Sequence, residues 1–128
     1  MLSPQEIVNI TVQARKNIEI CERAKFGDCG DAAKETVKLL NSGKIESGYF
    51  VYNLPNEEQS EHSWIRIGRY VLDPTIDQFF SDLDVDLETK TYGIYFSHPS
   101  WDGDWLLNRY RGRGWWNKSF KEWLSRNY

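Results

Sequence analysis

Three side chains in this 128-residue chain carry chemistry when taken together. They are Cys29 in "FGDCGDAAKETVKLL", and His62 and Asp73 in "EHSWIRIGRYVLDPT". A His–Asp pair fixes the imidazole tautomer and stabilises its charged form. An imidazole held this way activates a neighbouring nucleophile by taking its proton. Cys29 is the candidate nucleophile. It stands just after the Gly27-Asp28 break, where a helical pattern begins. A helix N-terminus favours negative charge, so a thiol there loses its proton more readily. The backbone N–H of Cys29 is placed to donate to an oxyanion, and Gly30 leaves room beside the sulfur. Asp28 and Asp31 flank the thiol and oppose a thiolate unless their oxygens turn to backbone N–H groups.

The elements must bring these three together. "HSWIRI" and "YVLD" read as two strands joined at Gly68-Arg69. With Ile67 opposite Tyr70, Trp64 faces Asp73 and His62 faces Thr75. His62 and Asp73 are then diagonal neighbours on one face of the hairpin. Ile65, Ile67, Tyr70 and Leu72 fall on the other, apolar face. The pattern thus separates a polar pair from a core-forming set.

Upstream, "LSPQEIV" supplies Ser3 as a helix cap, Pro4 at the first helical position and Glu6 in a capping box. Ile7, Ile10, Ala14, Ile18 and Cys21 continue at helical spacing, which predicts a helix over 4–24 with Cys21 buried in its stripe. Asp28 is the expected side-chain cap of a second helix that ends at "NSG" with Gly43. "SGYFVYNL" reads as a strand and "PNEEQSE" as a polar loop. "PTIDQFFSDLDVD" reads as a turn and a short helical piece. "TYGIYFS" is another strand, "HPSWDGDW" a loop with His98 as a turn residue, and "SFKEWLSRNY" a terminal helix capped by Ser119. "RYRGRGWWN" has no clear assignment. The order predicts an α+β fold, N-terminal helices packed on an antiparallel β-sheet.

Composition bounds the function classes. The length fits one domain, 1–128, with a real core. The hydrophobic share of 40% and aromatic share of 15% argue against disorder. A net charge of −3 gives no global attraction to nucleic acid. Acids crowd 73–88 and basic residues crowd 106–128, which reads as two solvated, mutually attracting faces. No apolar run is long enough to span a membrane, and the N-terminus is not a signal peptide. The expectation is a cytoplasmic protein with free thiols at Cys21 and Cys29. Cys29, His62, Asp73 and Asp77 could instead bind metal, but their spacing matches no familiar zinc pattern, so neither metal nor cofactor is expected.

The pieces "DCGDAA", "HSW" and "LDPT", in this order, resemble the papain-like fold superfamily, most closely its transglutaminase-like branch. "DPTIDQF" is similar to small bacterial and phage members. The resemblance covers roughly residues 26–80. It implies Cys29 as nucleophile, His62 as general base and acid, and Asp73 as the carboxylate that orients His62. It implies attack on an amide or related acyl bond of a protein or peptide, resolved by water or an amine acceptor. A second oxyanion donor is not fixed: position 23 is Arg where papain-like proteases carry Gln, leaving Gln5, Gln13 and Trp64 as candidates. Trp64, Asp28, Trp101 and Trp105 are the candidates to line a substrate groove. The alternative is an inactive binding protein of the same fold, using the aromatic and basic C-terminal segment to hold a protein or nucleic-acid partner.

Overall fold

The computed structural model describes residues 2–52, 58–79, 93–100 and 104–112. Among them the architecture is α+β, with two helices and one five-stranded antiparallel sheet. No helix among these residues is long and apolar enough to cross a membrane. Helix α1 runs Pro4–Asn17 and α2 runs Cys29–Leu40. The strands are β1 (Lys44–Tyr52), β2 (Glu58–Ile67), β3 (Tyr70–Asp73), β4 (Tyr95–Phe96) and β5 (Tyr110–Gly112). Their order across the sheet is β4-β3-β2-β1-β5.

The expected capping box starts α1. Ser3 Oγ accepts from the Glu6 backbone N–H, and Glu6 Oε1 accepts from the Ser3 N–H. The helix is shorter than its pattern predicts, because the chain turns off after Asn17 and Glu19 takes a left-handed φ of 64°. Cys21 is therefore exposed rather than buried in an apolar stripe. Helix α2 begins at Cys29 as expected, but Asp28 does not cap it with its side chain. Its carboxylate turns back to accept from the Lys25 N–H at 2.8 Å. The helix ends at Leu40, three residues before Gly43, with a left-handed Asn41 as its cap. Small residues line the helix pair: Thr11, Ala14, Ala32, Ala33 and Thr36 are all fully buried. The two threonines satisfy their hydroxyls on the carbonyls one turn back.

The β2–β3 hairpin has the predicted register, with Ile67 opposite Tyr70, Arg66 opposite Val71 and Ile65 opposite Leu72. The helices cover the face carrying Ile65 and Leu72, where Ile7, Val8, Ala33, Leu40, Ile94 and Phe96 complete one core. The opposite face carries Phe50, Trp64, Val71 and Tyr95, packed with Ile76, Phe79 and Leu106. Strand β2 starts at Glu58, earlier than predicted, so part of the expected polar loop is strand. A 3₁₀ turn, Ile76–Phe79, follows β3. A second, Asp104–Arg109, begins within the stretch expected to be a loop and leads into β5, which falls in the unassigned "RYRGRGWWN". The predicted helix after Ser119 lies outside the described residues.

The sheet is curled. In a flat sheet β3 and β5 would stand roughly 14 Å apart, three strand spacings. Yet the Tyr110 hydroxyl on β5 donates to Asp73 on β3 at 2.6 Å. The rings of Tyr95 and Tyr110, on opposite edge strands, stack at 5.9 Å and 11°. The face opposite the helices is therefore concave, and the second core fills it. Gly48 makes the β1–β5 approach possible: a Cβ there would collide with the Arg111 carbonyl and the Trp64 ring.

A buried ion pair ties α1 to this sheet. Arg15 makes a two-pronged contact with Asp77, at 3.0 and 2.9 Å, and both side chains are almost fully buried. Arg15 also donates to the carbonyls of Pro74 and Glu22, each at 2.8 Å. Asp77 accepts from the Ala24 N–H as well, and Gly93 must be glycine because a Cβ would strike the Asp77 carboxylate. Arg15→Met should therefore leave a buried carboxylate without its counter-charge and cost about 3–5 kcal/mol. Urea denaturation measures this, and adding Asp77→Leu to the same chain should recover much of the loss.

Candidate active site

The site forms where the start of α2 meets the β2–β3 hairpin. Asp73 ends β3 and is fully buried. Its two oxygens have separate duties. Oδ1 accepts the Thr75 backbone N–H at 2.9 Å, an Asx turn that the Asp-Pro-Thr segment favours. Oδ2 faces His62 Nε2 at 2.6 Å and also accepts from the Tyr110 hydroxyl at 2.6 Å. The imidazole itself is buried, with no exposed side-chain surface. Phe79 packs edge-on against it at 4.8 Å and 82°, and Phe50 at 6.0 Å and 71°. Rotamer freedom is thus removed by packing, and ring direction is set by the carboxylate.

Cys29 completes the group. It is half-buried at the first position of α2, beside His62 and Ser63, both of which act on the ionisation of its thiol. Partial burial on its own pushes the thiol up. The bond and charge of His62, with the Ser63 N–H, outweigh that and leave the thiol below its ordinary value, although the Asp73 charge acts the other way. Burial would likewise push the imidazole down. The Asp73 charge and hydrogen bond, aided by the Cys29 sulfur, override it and raise His62 to about 9. The two shifts favour one state, a thiolate beside an imidazolium. Space is open at Gly30, where an added Cβ would meet nothing within 4 Å.

Gln78 lies on the 3₁₀ turn with its Nε2 at 3.3 Å from His62 Nδ1. The same amide donates to the Thr75 hydroxyl at 2.9 Å and the Thr75 carbonyl at 3.1 Å. Sequence reading brought Cys29, His62 and Asp73 forward, and the fold gathers all three. It gave no role to Gln78 or Tyr110. Gln78 had a weak signal, being one turn beyond the Asp-Pro-Thr segment. Tyr110 had none, because the contact depends on the curl of the sheet.

The other candidates are distributed differently. Trp64 is 2% exposed and packs on Tyr110, so it supports the pair from inside the core instead of lining a groove. Its indole N–H has no partner among the described residues. Asp28 is half-buried one residue before the thiol. Trp101 lies outside the described residues, as does the side chain of Trp105. Gln5 and Gln13 bond to Asn9 and Asn17 on the exposed side of α1. Asp77 is committed to Arg15. His98 is a turn residue, with Nδ1 accepting the Ser100 N–H at 3.2 Å.

No family model matches this chain, and neither a curated protein nor a solved structure matches it. The functional reading therefore stands on the geometry.

The His62 shift sets a pH dependence for stability. A group raised on folding stabilises most below its unfolded value, about 6.5 for histidine, and that stabilisation disappears as pH rises through the folded value. The thiol titrates in the opposite sense, so the comparison belongs in a Cys29→Ala background. There, Asp73→Asn should lower the thermal midpoint most below pH about 6.5. The deficit should shrink as pH climbs toward about 9, the imidazolium range of the intact site. Thermal melts followed by circular dichroism across that span check it; a deficit that grows with pH contradicts the pairing.

Proposed function

We propose that this chain is a thiol-dependent hydrolase or acyltransferase of papain-like, transglutaminase-like type, acting on an amide or related acyl bond of a protein or peptide. One observation carries the reading. A half-buried thiol at the first residue of a helix lies beside an imidazole, His62, whose Nε2 is 2.6 Å from a fully buried carboxylate. Cys29 is only half-buried, as a nucleophile must be to meet its substrate.

The chemistry follows from the bonding. Nε2 is engaged by Asp73, so Nδ1 is the nitrogen that exchanges a proton with Cys29. His62 Nδ1 takes the thiol proton, and the thiolate adds to the substrate carbonyl. The first-turn N–H groups of α2 have no carbonyl partner within the helix and are the donors for the developing oxyanion in this scheme. As the tetrahedral intermediate collapses, the carbonyl–nitrogen bond breaks and His62 gives its proton to the leaving amine. An acyl-thioester on Cys29 remains. Water or an incoming amine loses its proton to His62, attacks the thioester, and releases Cys29. Water gives hydrolysis; an amine gives acyl transfer. Asp73 takes no proton in this scheme and holds the ring.

The first test is iodoacetamide alkylation against pH, with exposed Cys21 as the internal control. At pH about 6, where an ordinary thiol is under about 1% ionised, Cys29 should react at least about tenfold faster than Cys21. His62→Ala should abolish that advantage. A p-nitrophenyl acetate burst, with one acetyl group on Cys29 by intact mass, extends the test to acyl transfer. An ordinary thiol profile at Cys29, unchanged by His62→Ala, would reduce the protein to a binding module of the same fold.

A further inference from the structure

The carboxylate that holds His62 is itself held by a third residue from a distant part of the chain. Tyr110 donates its hydroxyl to Asp73 Oδ2 at 2.6 Å, the same oxygen and the same distance as His62 Nε2. We propose that Tyr110 is a positioning residue of the site: its phenol shares Asp73 Oδ2 with the imidazole and so sets how strongly that carboxylate grips His62. The inference rests on the thiol-enzyme reading for its catalytic meaning, but its physical content is separate.

The placement of Tyr110 is built by several elements. Strand β5 pairs with β1, with Phe50 opposite Tyr110 and Gly48 opposite Gly112. Glycine at 48 allows the close approach that brings β5 over the concave face. The Tyr110 ring is then fixed edge-on by Phe50 at 4.9 Å and by Trp64 at 5.1 Å, and stacked on Tyr95. A tyrosine that only filled space would need none of its polar geometry. This one directs its hydroxyl at an oxygen that already has a donor, while Oδ1 serves Thr75.

Burial, followed by the Asp73 charge and bond, pushes the phenol well above its ordinary value, so it stays a protonated donor through neutral pH. Among the described residues, the titratable and charged groups around the pair are Cys29 from α2, Asp73 from β3, Tyr95 from β4, Arg109 at the end of the second 3₁₀ turn, and Tyr110 from β5. An oxygen that accepts two strong bonds divides its negative charge between two donors. Without the phenol, all of it is available to the imidazolium. His62 should then keep its proton to higher pH. A stronger phenol donor should do the reverse.

The experiment follows the His62 ring signals by NMR through a pH titration. In Tyr110→Phe the His62 midpoint should rise by on the order of half a pH unit, roughly a threefold change in proton affinity. With 3-fluorotyrosine at position 110, a more acidic phenol of nearly the same size, it should fall. Opposite shifts support the inference, because loss of packing alone would not reverse sign. An unchanged midpoint, or shifts in the same direction, overturns it. If Tyr110→Phe fails to fold, the fluorinated protein decides: a fall supports the inference, no change or a rise defeats it. The readout is also separable from the enzyme reading. Ordinary reactivity of Cys29 with opposite His62 shifts would remove the enzyme and keep the phenol's role. Fast, His62-dependent alkylation with an immobile midpoint would keep the enzyme and remove the phenol.

Discussion

The Arg15–Asp77 ion pair is the constraint from which the rest of the site takes its position. It is an unusual choice for a small core, because removing two charges from water is costly unless their remaining hydrogen-bonding capacity is met. Here it is met. The guanidinium reaches the carboxylate and the carbonyls of Pro74 and Glu22, and the carboxylate takes the Ala24 N–H. Arg23 adds a bond to the Asp77 carbonyl at 2.7 Å. One pair therefore joins α1, the connection that runs to Cys29, and the turn that follows Asp73. The segment leading to Cys29 and the turn after Asp73 are both attached to it from behind.

In front of that anchor, burial and charge oppose each other. Desolvation acts against charge on both Cys29 and His62. It is outweighed because each group's counter-charge is in contact and the ring has no space to swing away. The aromatic shell of Phe50, Phe79 and Trp64 strengthens this effect by excluding water, which would otherwise weaken the attraction. Cys29 is the most exposed member of the group, since His62 and Asp73 are both buried.

Local regularities made much of this legible. The β2–β3 register follows from strict alternation on either side of a Gly-containing turn, so the nearness of His62 and Asp73 could be read directly. The start of α2 at Cys29 follows from the Gly27 break. The α1 boundary was misread because Ile18 and Cys21 prolong an apolar period that the backbone abandons. The reason is non-local: the chain must turn there for Glu22 and Ala24 to reach Arg15 and Asp77. An arginine on a helix reads as a solvent-facing residue, and nothing in its neighbours marks it as the exception. Tyr110 was invisible for a related reason, since its role depends on how far the sheet curls. The Asp28 cap failed because its carboxylate found a nearer N–H at Lys25.

The contacts that define the site are separated widely along the chain. Tyr110 and Asp73 are 37 residues apart, Arg15 and Asp77 62 apart, and Arg15 and Gly93 78 apart. Contacts of such span close large loops, whose entropic cost must be met before the contacts stabilise the chain. A partly folded chain can already hold α2, the β2–β3 hairpin and a thiol near an imidazole. It lacks the anchor behind Asp73 and the edge strand beyond it. The complete arrangement of Cys29, His62, Asp73 and Tyr110 is thus a property of the finished tertiary structure and of no single local segment.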